Sequence, residues 1–434
     1  MSSLFYAYFF WLFHNFSMWF RLAVKTKHGW IKCGSLPGAT EPFPVFFFFF
    51  FGRIVFSLFH ERREGYQCIQ MDASSSEHKA LVMLITGGCG FIGSNLCHYM
   101  IERYPTLRVI CYDLLTYAAN PASLAGLPAD RFRLVVGDVR DEKLLRKVLV
   151  EEKVDTVVHL AAESHVDRSI DDPGVFLTTN VNGTFCVLQA ARAAWRDGFE
   201  GKRFHYVSTD EVFGALGPSD PLSNESSRYN PRNPYSASKA AADHLVRAWA
   251  NTFQLPITIS NCSNNYGPRQ FPEKLIPLMV VRALRGDRLP IYGDGMQIRD
   301  WLYVDDHCSA IDVIIRRGKI GESYNVGAIN EQHNLDIVRK ICKILDEIHP
   351  AKDGQPYARL IQHIEDRPGH DRRYAIDSSK LMKELGWKPV YSFDQALLST
   401  IQWYLRNQPW VESILSGSYN TERLGLTLSY HPSD

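Results

Sequence analysis

The segment 84–93 constrains the fold of this chain more than any other part of the sequence. An apolar run leads there into Gly87, Gly90 and Gly93, which stand at G-x-x-G-x-x-G spacing. After a strand and before a helix, such glycines permit a tight turn, close approach of the backbone to a pyrophosphate, and close packing of helix on strand. The helix N-terminus then offers free N–H groups to the phosphates. The pattern predicts the first strand–turn–helix unit of a parallel α/β sheet that binds a dinucleotide.

An acidic residue follows this turn at the distance that ribose recognition requires. Asp113 ends the apolar run 109–112 and lies about 20 positions after Gly93. A carboxylate at this place accepts hydrogen bonds from a free 2′-hydroxyl, so it favours NAD over NADP. A plain glycine turn between two packed elements is the alternative, and it does not account for the acid.

Length, charge and cysteine usage exclude several classes of protein. The 434 residues, of which 45% are hydrophobic, are enough for a large core and for two domains. A net charge of +1 provides no electrostatic footprint for nucleic acid or an anionic membrane. The nine cysteines are scattered and form no C-x-x-C pair. We therefore expect neither disulfides nor a metal site, and a reducing, cytoplasmic location.

Residues 1–80 differ from the rest in composition, because they are rich in aromatic residues and contain an unbroken phenylalanine run at 46–51. The apolar stretch 43–59 is shorter than the roughly 20 residues of a spanning helix and contains Arg53. The N-terminus also lacks the basic start and small-residue cleavage site of a secretory signal. We interpret 1–80 as a leader, disordered or not translated, with alternative starts at Met71 and Met83. A membrane anchor is the less favoured alternative.

From residue 81, short apolar runs alternate with longer amphipathic ones. The runs predict strands at 81–86, 108–112, 132–136, 156–160, 204–208 and 257–260, and helices at 92–104, 142–151, 175–195 and 236–252. This alternation predicts an α/β fold, with a Rossmann-like, doubly wound parallel sheet over residues 81–265. Frequent prolines and shorter elements predict a smaller, substrate-binding C-terminal lobe over 266–434, from which individual strands can return to the sheet.

Tyr235 and Lys239 stand at i, i+4 spacing near the start of a predicted helix, so both side chains lie on one face. An ammonium near a phenol favours the phenolate and lowers its pKa from about 10. Such a phenolate can take a hydroxyl proton while a hydride leaves the carbon. A surface helix pair is the alternative, and the preceding dinucleotide turn disfavours it.

Thr209, Asp210 and Glu211 follow the fifth predicted strand. Motifs at the carboxyl ends of parallel strands meet at the ligand-binding edge of such a sheet. Adjacent carboxylates repel, so one can be held protonated as an acid while the other stays a base. A capping turn with both acids solvated is the alternative, and it explains two acids beside a threonine less well.

Seven phrases carry a family resemblance that spans about residues 81–425. They are AAESHVDRS (161–169), STDEV (208–212), PYSASK (234–239), NCSNNYGP (261–268), FPEKLIP (271–277), QIRDWLY (297–303) and DRPGHDRRY (366–374). The chain resembles the extended short-chain dehydrogenase/reductase family. The Thr-Asp-Glu triplet narrows this resemblance to the 4,6-dehydratases, and the first and last phrases favour the branch that acts on dTDP-sugars.

The resemblance implies a hydro-lyase with tightly held NAD, regenerated in each turnover, and dTDP-glucose as the substrate. Tyr235 would take the 4-hydroxyl proton as hydride moves from C4 to NAD, while Lys239 keeps the phenol acidic. Thr209 would hydrogen-bond to the forming C4 carbonyl. Glu211 would remove the C5 proton, and protonated Asp210 would supply a proton to the departing C6 hydroxyl, giving the 4-keto-6-deoxy sugar.

The resemblance also implies which residues line two subsites, with no metal and no nucleic acid or membrane partner. The NAD-binding residues would be Gly87, Gly90, Phe91, Ile92, Gly93, Asp113, Thr116, Asp138, Val139, Leu160, Ala161, Ala162, Ser164, Thr179, Tyr235, Lys239 and Asn265. The nucleotide-sugar residues would be Ser164, Thr209, Asn264, Lys274, Leu275, Pro290, Ile291, Tyr292, Arg299, Asn334, Arg367 and His370. A pyrophosphate suits the forked guanidinium donors among them. A homodimer would form through the predicted helices 175–195 and 236–252.

Two departures from the family pattern stand beside the site. Leu114 occupies the usual lysine position after the second strand, and Phe213 a usual tyrosine position. Two alternatives stay open: a UDP-sugar enzyme of the same fold, such as a UDP-glucose 4,6-dehydratase or 4-epimerase, and a non-enzymatic NAD-sensing module. An epimerase needs no Asp-Glu pair, and a sensing module would be expected to lose Tyr235 or Lys239.

Overall fold

The computed structural model describes residues 23–26, 29–32, 77–367 and 369–415. The chain divides into two units, Met1–Ser74 and Ser75–Asp434. In the first unit, the antiparallel strands β1 (Ala23–Thr26) and β2 (Gly29–Lys32) pair with each other. Most of the predicted leader lies outside the described residues.

The second unit contains the remaining strands and all the described helices. The strands are β3 (Val82–Thr86), β4 (Arg108–Asp113), β5 (Phe132–Val136), β6 (Thr156–His159), β7 (Arg203–Thr209), β8 (Ile257–Cys262), β9 (Asn264–Tyr266), β10 (Leu289–Tyr292), β11 (Ile298–Tyr303), β12 (Ser323–Val326), β13 (Glu331–His333), β14 (Ile361–Ile364) and β15 (Arg373–Tyr374). The α-helices are α1 (Phe91–Arg103), α2 (Glu142–Glu151), α3 (Val166–Asp171), α4 (Pro173–Phe176), α5 (Thr184–Ala194), α6 (Pro234–Phe253), α7 (Leu275–Arg285), α8 (Val304–Arg317), α9 (Asn334–Ile348), α10 (Ser379–Leu385), α11 (Phe393–Arg406) and α12 (Gln408–Leu415).

A parallel sheet of seven strands forms the centre, in the order β12-β8-β7-β6-β3-β4-β5. The chain runs outward from β3 to β5 and then returns to build the other half from β6, which is the doubly wound topology. The six predicted strands are confirmed, with ends that move by at most two residues. The seventh strand, β12, comes from beyond residue 266.

The sheet is buried on both faces because its strands are continuous apolar runs. Successive side chains of β3 point to opposite faces, so Met83 and Ile85 join one core and Leu84 joins the other. The first core includes residues of α1 and α8, and the second includes residues of α2, α5 and α6. A third core, built from α7, α9, α11 and α12, belongs to the C-terminal part of the chain.

The helix predicted over 175–195 forms, but it is not α-helical throughout. A π-helical segment, Leu177–Gly183, separates α4 from α5. The Asn180 amide is committed to tertiary bonds, since it accepts from Glu163 N at 2.8 Å and donates to Ser238 Oγ at 2.8 Å. The Thr184 hydroxyl also donates to the Asn180 carbonyl at 2.6 Å. These bonds hold a wider turn, of the kind often found beside functional sites.

Residues 77–80, which the composition assigned to the leader, contact the sheet and its helices. His78 N donates to Arg316 O at 2.9 Å, and His78 Nε2 lies 2.8 Å from Thr156 Oγ1. Glu77 forms an ion pair with Arg316 at 3.0 Å. Among the described residues, no helix has the length and apolar character that crossing a membrane requires.

Candidate active site

A cavity of about 860 Å³ opens where β3, β4, β6, β7 and β8 end. The strand order reverses between β3 and β6, and ligands of doubly wound sheets bind at such a switch point. Every cofactor, substrate and catalytic residue predicted from the sequence lines this one cavity. The tertiary structure thus brings together residues that span positions 87–370 of the chain.

The glycine turn leaves no room for a side chain at Gly87 or at Gly93. Gly87 has a φ of +71°, and a Cβ there would lie 2.8 Å from the backbone of Ala161. A Cβ on Gly93 would lie 2.2 Å from Gly87 O. The first clash shows that β3 and β6 approach closely, and the second that α1 begins directly against the turn. The backbone is therefore open to a phosphate group at the α1 N-terminus.

Asp113 braces the loop beside this turn. Its Oδ2 accepts from Cys89 N at 2.9 Å and its Oδ1 from Leu115 N at 2.8 Å. Burial raises the pKa of Asp113, and the two backbone donors oppose the rise. Each oxygen retains a lone pair, so the carboxylate can still accept from a ribose hydroxyl. Leu114 is 45% exposed at the cavity wall, where a lysine would place a charge.

Asn233 fixes the helix that carries Tyr235 and Lys239. Its Oδ1 accepts from Ser236 N at 2.8 Å, and its own N–H donates to Ser236 Oγ at 3.2 Å, which together form a capping box. Pro234 fills the first helical position, where its missing N–H costs nothing. Tyr235 and Lys239 are both buried at the cavity wall.

The electrostatics of the Tyr-Lys pair differ from the expectation. Burial and the Glu211 carboxylate raise the pKa of Tyr235 well above its usual range. Burial also lowers the pKa of Lys239 to about 8. The Lys239 ammonium donates to Val207 O at 2.8 Å and lies 4.3 Å from the centroid of the Tyr206 ring. The interior thus disfavours both charged forms, and spacing alone does not make the phenol acidic.

The triplet turns sharply at the end of β7. Thr209 Oγ1 accepts from Glu211 N and donates to Asp210 Oδ1, each at 3.3 Å. Burial raises the pKa of Asp210 well above its usual range, and the carboxylates of Glu211 and Asp300 add to the rise. Asp210 therefore favours its protonated form. Its Oδ2 has no hydrogen-bond partner among the described residues, so that oxygen is available to hold the proton.

Glu211 is less buried than Asp210, and the cap of α6 holds it. Asn233 Nδ2 donates to Glu211 Oε2 at 3.4 Å. The same amide therefore caps the helix of Tyr235 and contacts the Glu211 carboxylate. This contact links the helix that carries Tyr235 to the triplet.

Arg299, on β11, presents a buried positive charge to the opposite side of the cavity. Its guanidinium donates to Ile298 O at 2.7 Å and to Asp371 O at 2.9 Å, and it lies 4.6 Å from the centroid of the Tyr374 ring. Within the part of the chain that the structure describes, no carboxylate pairs with it. A buried cation held only by carbonyls and a ring suits an anionic ligand.

Acids hold three of the other polar groups on this side, and a backbone carbonyl holds a fourth, Lys274. Asp167 accepts from Arg367 Nη1 at 2.9 Å and from Tyr292 OH at 3.0 Å. The His370 ring lies 2.5 Å from Asp366 Oδ1, and burial lowers its pKa to about 4. Lys274 Nζ donates to Ser164 O at 2.8 Å.

Several residues that shape the site were absent from the sequence predictions. They are Asp167, Asn180, Asn233, Asp243 and Glu273. Asp167 and Glu273 lie inside the matching phrases 161–169 and 271–277, and an asparagine before a proline at a helix start is a recognisable cap. No local pattern marks Asn180 or Asp243. Among the described residues, no group of three or more His, Cys, Asp or Glu side chains could hold a metal ion.

Comparisons with known proteins agree with this geometry. The family model described as GDP-mannose 4,6 dehydratase matches residues 84–400. A dTDP-glucose 4,6-dehydratase of Xanthomonas campestris pv. campestris (strain B100) is 51% identical over 353 residues, which cover 80% of this chain and 99% of that protein. A Streptomyces venezuelae dTDP-glucose 4,6-dehydratase, solved with NAD and TYD bound, is 43% identical with a TM-score of 0.71, and covers 77% of this chain and 99% of its own. A Bacillus anthracis dTDP-glucose 4,6-dehydratase, solved in complex with NAD, is 42% identical with a TM-score of 0.69, over 77% of this chain and 100% of its own.

These similarities extend over nearly the whole length of the relatives, and the aligned part of this chain contains the glycine turn, the triplet and the Tyr-Lys pair. The chain belongs to the dTDP-glucose 4,6-dehydratase family of nucleotide-sugar dehydratases.

Proposed function

We propose that this chain is a NAD-dependent hydro-lyase that converts dTDP-glucose into dTDP-4-keto-6-deoxyglucose and water. The observation that carries the proposal is the shared cavity, which is lined both by the glycine turn and by Thr209, Asp210, Glu211 and Tyr235. The relatives named above support the choice of substrate. When bound, NAD accepts hydride from C4 of the sugar and returns it at C6.

The residues present fit NAD. Gly87, Gly90 and Gly93 carry no Cβ atoms at the turn, and Asp113 offers acceptors to a ribose. Gly90, Phe91, Ile92 and Gly93, at the start of α1, would hold the pyrophosphate. The remaining cofactor contacts come from Thr116, Asp138, Val139, Leu160, Ala161, Ala162, Ser164, Thr179 and Asn265, all of which line the same cavity.

Tyr235 is the base for the 4-hydroxyl, and Lys239 stabilises the charge that this step requires. Because burial raises the pKa of Tyr235, its phenolate forms only with a cation nearby. Thr209 donates a hydrogen bond to the oxygen of the C4 carbonyl as it forms. That carbonyl makes the neighbouring C5 proton acidic.

Glu211 and Asp210 then perform the elimination. Glu211 removes the C5 proton, while the C6 hydroxyl leaves as water with a proton from Asp210. The two roles follow from their environments, since Asp210 is buried beside a second carboxylate and Glu211 is partly exposed. General acid–base groups are each worth about 10²–10⁴-fold in rate.

The opposite wall binds the nucleotide. Arg299 and Arg367 face the pyrophosphate, and Lys274 and His370 add donors. The other contacts come from Ser164, Asn264, Leu275, Pro290, Ile291, Tyr292 and Asn334. Asp167 orients Arg367 and Tyr292 before the ligand arrives, which reduces the ordering cost of binding.

We also propose a cytoplasmic homodimer. The seven cysteines among the described residues are buried and unpaired, which suits a reducing compartment. α5 and α6 pack beside each other and carry a cluster of partly exposed rings, in which Trp249 contacts Phe185 and Phe253. Two such helix pairs would form a four-helix interface.

The full chain incubated separately with dTDP-glucose and UDP-glucose tests the function. We expect 4-keto product from dTDP-glucose and much less from UDP-glucose. Nucleotide extracted from the purified protein should be NAD. Product from UDP-glucose alone would establish the UDP-sugar alternative, and NAD binding without any turnover would establish the sensing module.

A further inference from the structure

Asp243 is a buried carboxylate that the proposed reaction does not use. It lies on α6, four residues after Lys239 and eight after Tyr235, so the three side chains lie along one stripe of the helix. Its exposed fraction is 0%, and that of Lys239 is 4%. Acidic side chains are almost never fully buried without a partner of opposite charge. Its position therefore requires a physical reason.

Three elements surround the Asp243 carboxylate with polar groups. Tyr229 OH, from the segment before α6, donates to its Oδ2 at 2.6 Å. Asn261 Nδ2, on β8, donates to the same oxygen at 3.4 Å. Ser208 and Tyr206 face it from β7, and its own helix presents Lys239 and Arg247.

Several of these neighbours oppose protonation of Asp243. Burial raises its pKa above the usual value. The Tyr229 hydroxyl opposes that rise first, followed by the Lys239 ammonium, the Ser208 hydroxyl and the Arg247 guanidinium. The site thus supplies donors and cations to a carboxylate.

Few groups other than Asp243 stabilise the charged form of Lys239. Its ammonium donates to one carbonyl, Val207 O, and lies over the Tyr206 ring. In the described part of the chain no carboxylate lies within ion-pair distance of its Nζ. Among the nearby charges that raise the pKa of Lys239, Asp243 has the largest effect, ahead of Cys262 on β8. Burial and, to a lesser extent, the Lys239 charge lower the pKa of His159 on β6, so that ring stays neutral.

We propose that Asp243 is a positioning residue that supplies the negative charge by which Lys239 stays protonated inside the protein. Lys239 then retains the charge that stabilises the Tyr235 phenolate. Asp243 touches neither substrate nor cofactor and acts only through the lysine. The catalytic consequence rests on the proposed function, whereas the charge coupling itself does not.

Asp243→Asn tests the coupling, because the amide keeps the shape of the side chain and its acceptor for Tyr229 while removing the charge. The pKa of Lys239 is read directly by NMR on the full chain with ¹³C-labelled lysine, and Lys239→Met identifies the signal. We expect a wild-type pKa near 8 and a fall by about one unit or more in Asp243→Asn.

The pH profile of turnover gives a second measurement. Lys239 is protonated below its pKa and loses its charge as pH rises through it, so this residue sets an alkaline limb. In Asp243→Asn the limb should move to lower pH by the same amount, which makes turnover at pH 8 about fivefold slower for a one-unit shift.

Tyr229→Phe is the graded counterpart, since it removes the hydrogen bond to Asp243 but keeps the carboxylate. It should raise the pKa of Asp243 and lower the pKa of Lys239 by less than Asp243→Asn does. Equal losses of activity in both variants, with an unchanged lysine pKa, would show that Asp243 has only a structural role. A lysine pKa shift without any turnover of dTDP-glucose in the wild type would overturn the proposed function and leave the coupling in place.

The coupling is reciprocal, so it can also be measured without changing Asp243. In Lys239→Met, the carboxyl signal of Asp243 should titrate at a higher pH than in the wild type, because a stabilising cation is gone. If the pKa of Asp243 is the same in both chains, the proposal is wrong, even if Asp243→Asn does not fold.

Discussion

At the scale of single residues, burial decides which acid and which base this site can use. Asp210 and Glu211 are neighbours in the chain, yet only Asp210 is fully buried, and its pKa rises accordingly. The same burial raises the pKa of Tyr235, so the tyrosine depends on charges around it. Residue identity therefore names the candidates, and their surroundings assign the roles.

Single substitutions should separate the three chemical steps. Tyr235→Phe should abolish the initial oxidation, because no base remains for the 4-hydroxyl. Glu211→Gln should permit oxidation but block loss of the C5 proton. Asp210→Asn should permit oxidation and C5 exchange but slow water loss, with each step reduced by about 10²–10⁴-fold.

Solvent deuterium exchange at C5, combined with the absorbance of bound NADH, distinguishes these outcomes in each variant. Exchange at the wild-type rate in Glu211→Gln would remove Glu211 as the base. The chain would then remain a sugar-nucleotide oxidoreductase without an assigned elimination step.

At the scale of secondary-structure elements, the start of α6 connects stability with catalysis. Asn233 caps the helix and contacts Glu211 through the same amide. The π-helical segment between α4 and α5 has a similar origin, because Asn180 forms hydrogen bonds with Glu163 and Ser238. In both places a polar side chain joins elements that are distant in the sequence.

Two substitutions at Asn233 should separate these roles. Asn233→Ala removes the cap and should lower the free energy of unfolding by about 1 kcal/mol. Asn233→Ser restores a good cap but cannot reach Glu211 in the same way, so it should retain stability and still slow C5 exchange. Denaturant unfolding and the exchange assay measure the two effects. If Asn233→Ser exchanges C5 as fast as the wild type, the contact with Glu211 has no catalytic effect.

At the scale of the whole molecule, the buried histidines set a limit on stability in acid. Burial is the first cause that lowers the pKa of His159, His165, His205 and His307 to about 3, from an ordinary value of 6.5. As pH falls, the histidines of the unfolded chain bind protons before those of the folded protein. The contribution of these four histidines to the free energy of unfolding is therefore full above pH 6.5 and falls as pH decreases towards 3.

Replacement of one such histidine should reduce this dependence. His205 lies between Thr258 Oγ1 and Ser260 Oγ, at 3.0 and 3.1 Å. In His205→Gln, the slope of unfolding free energy against pH near pH 5 should decrease by about 1.4 kcal/mol per pH unit. Equal slopes in the wild type and His205→Gln would contradict the prediction.

Two shortened chains, which begin at Met71 and at Met83, distinguish the leader from the residues that the fold requires. A chain that begins at Met71 should keep wild-type activity, because it retains Glu77 and His78 with their contacts to Arg316 and Thr156. A chain that begins at Met83 loses those contacts, and also the bond from Leu81 N to Asp155 Oδ2 at 2.9 Å. It should unfold at a lower temperature. An inactive Met71 chain beside an active full chain would show that residues 1–70 are required.

Much of the fold and site was predictable because the decisive patterns are local. Mainly apolar runs predicted six strands, since strands that are buried on both faces consist largely of apolar residues. The glycine spacing, the triplet and the Tyr-Lys pair each lie within ten residues. They can therefore be recognised in the sequence as motifs. The π-helical segment within the predicted helix 175–195 was not foreseen, because its hydrogen bonds depend on Glu163 and Ser238, which lie far away in the sequence.

The sequence by itself determined the parallel sheet, the dinucleotide turn and the chemical groups of the site, because hydrophobic periodicity and short-range spacing encode them. Only the tertiary structure decided that Asp210 is the buried acid, that Asn233 contacts Glu211, and that Asp243 shares the interior with Lys239. Burial and charge–charge distance depend on residues brought together from separate parts of the chain. These quantities control the pKa of each group, and they exist only once the chain has folded.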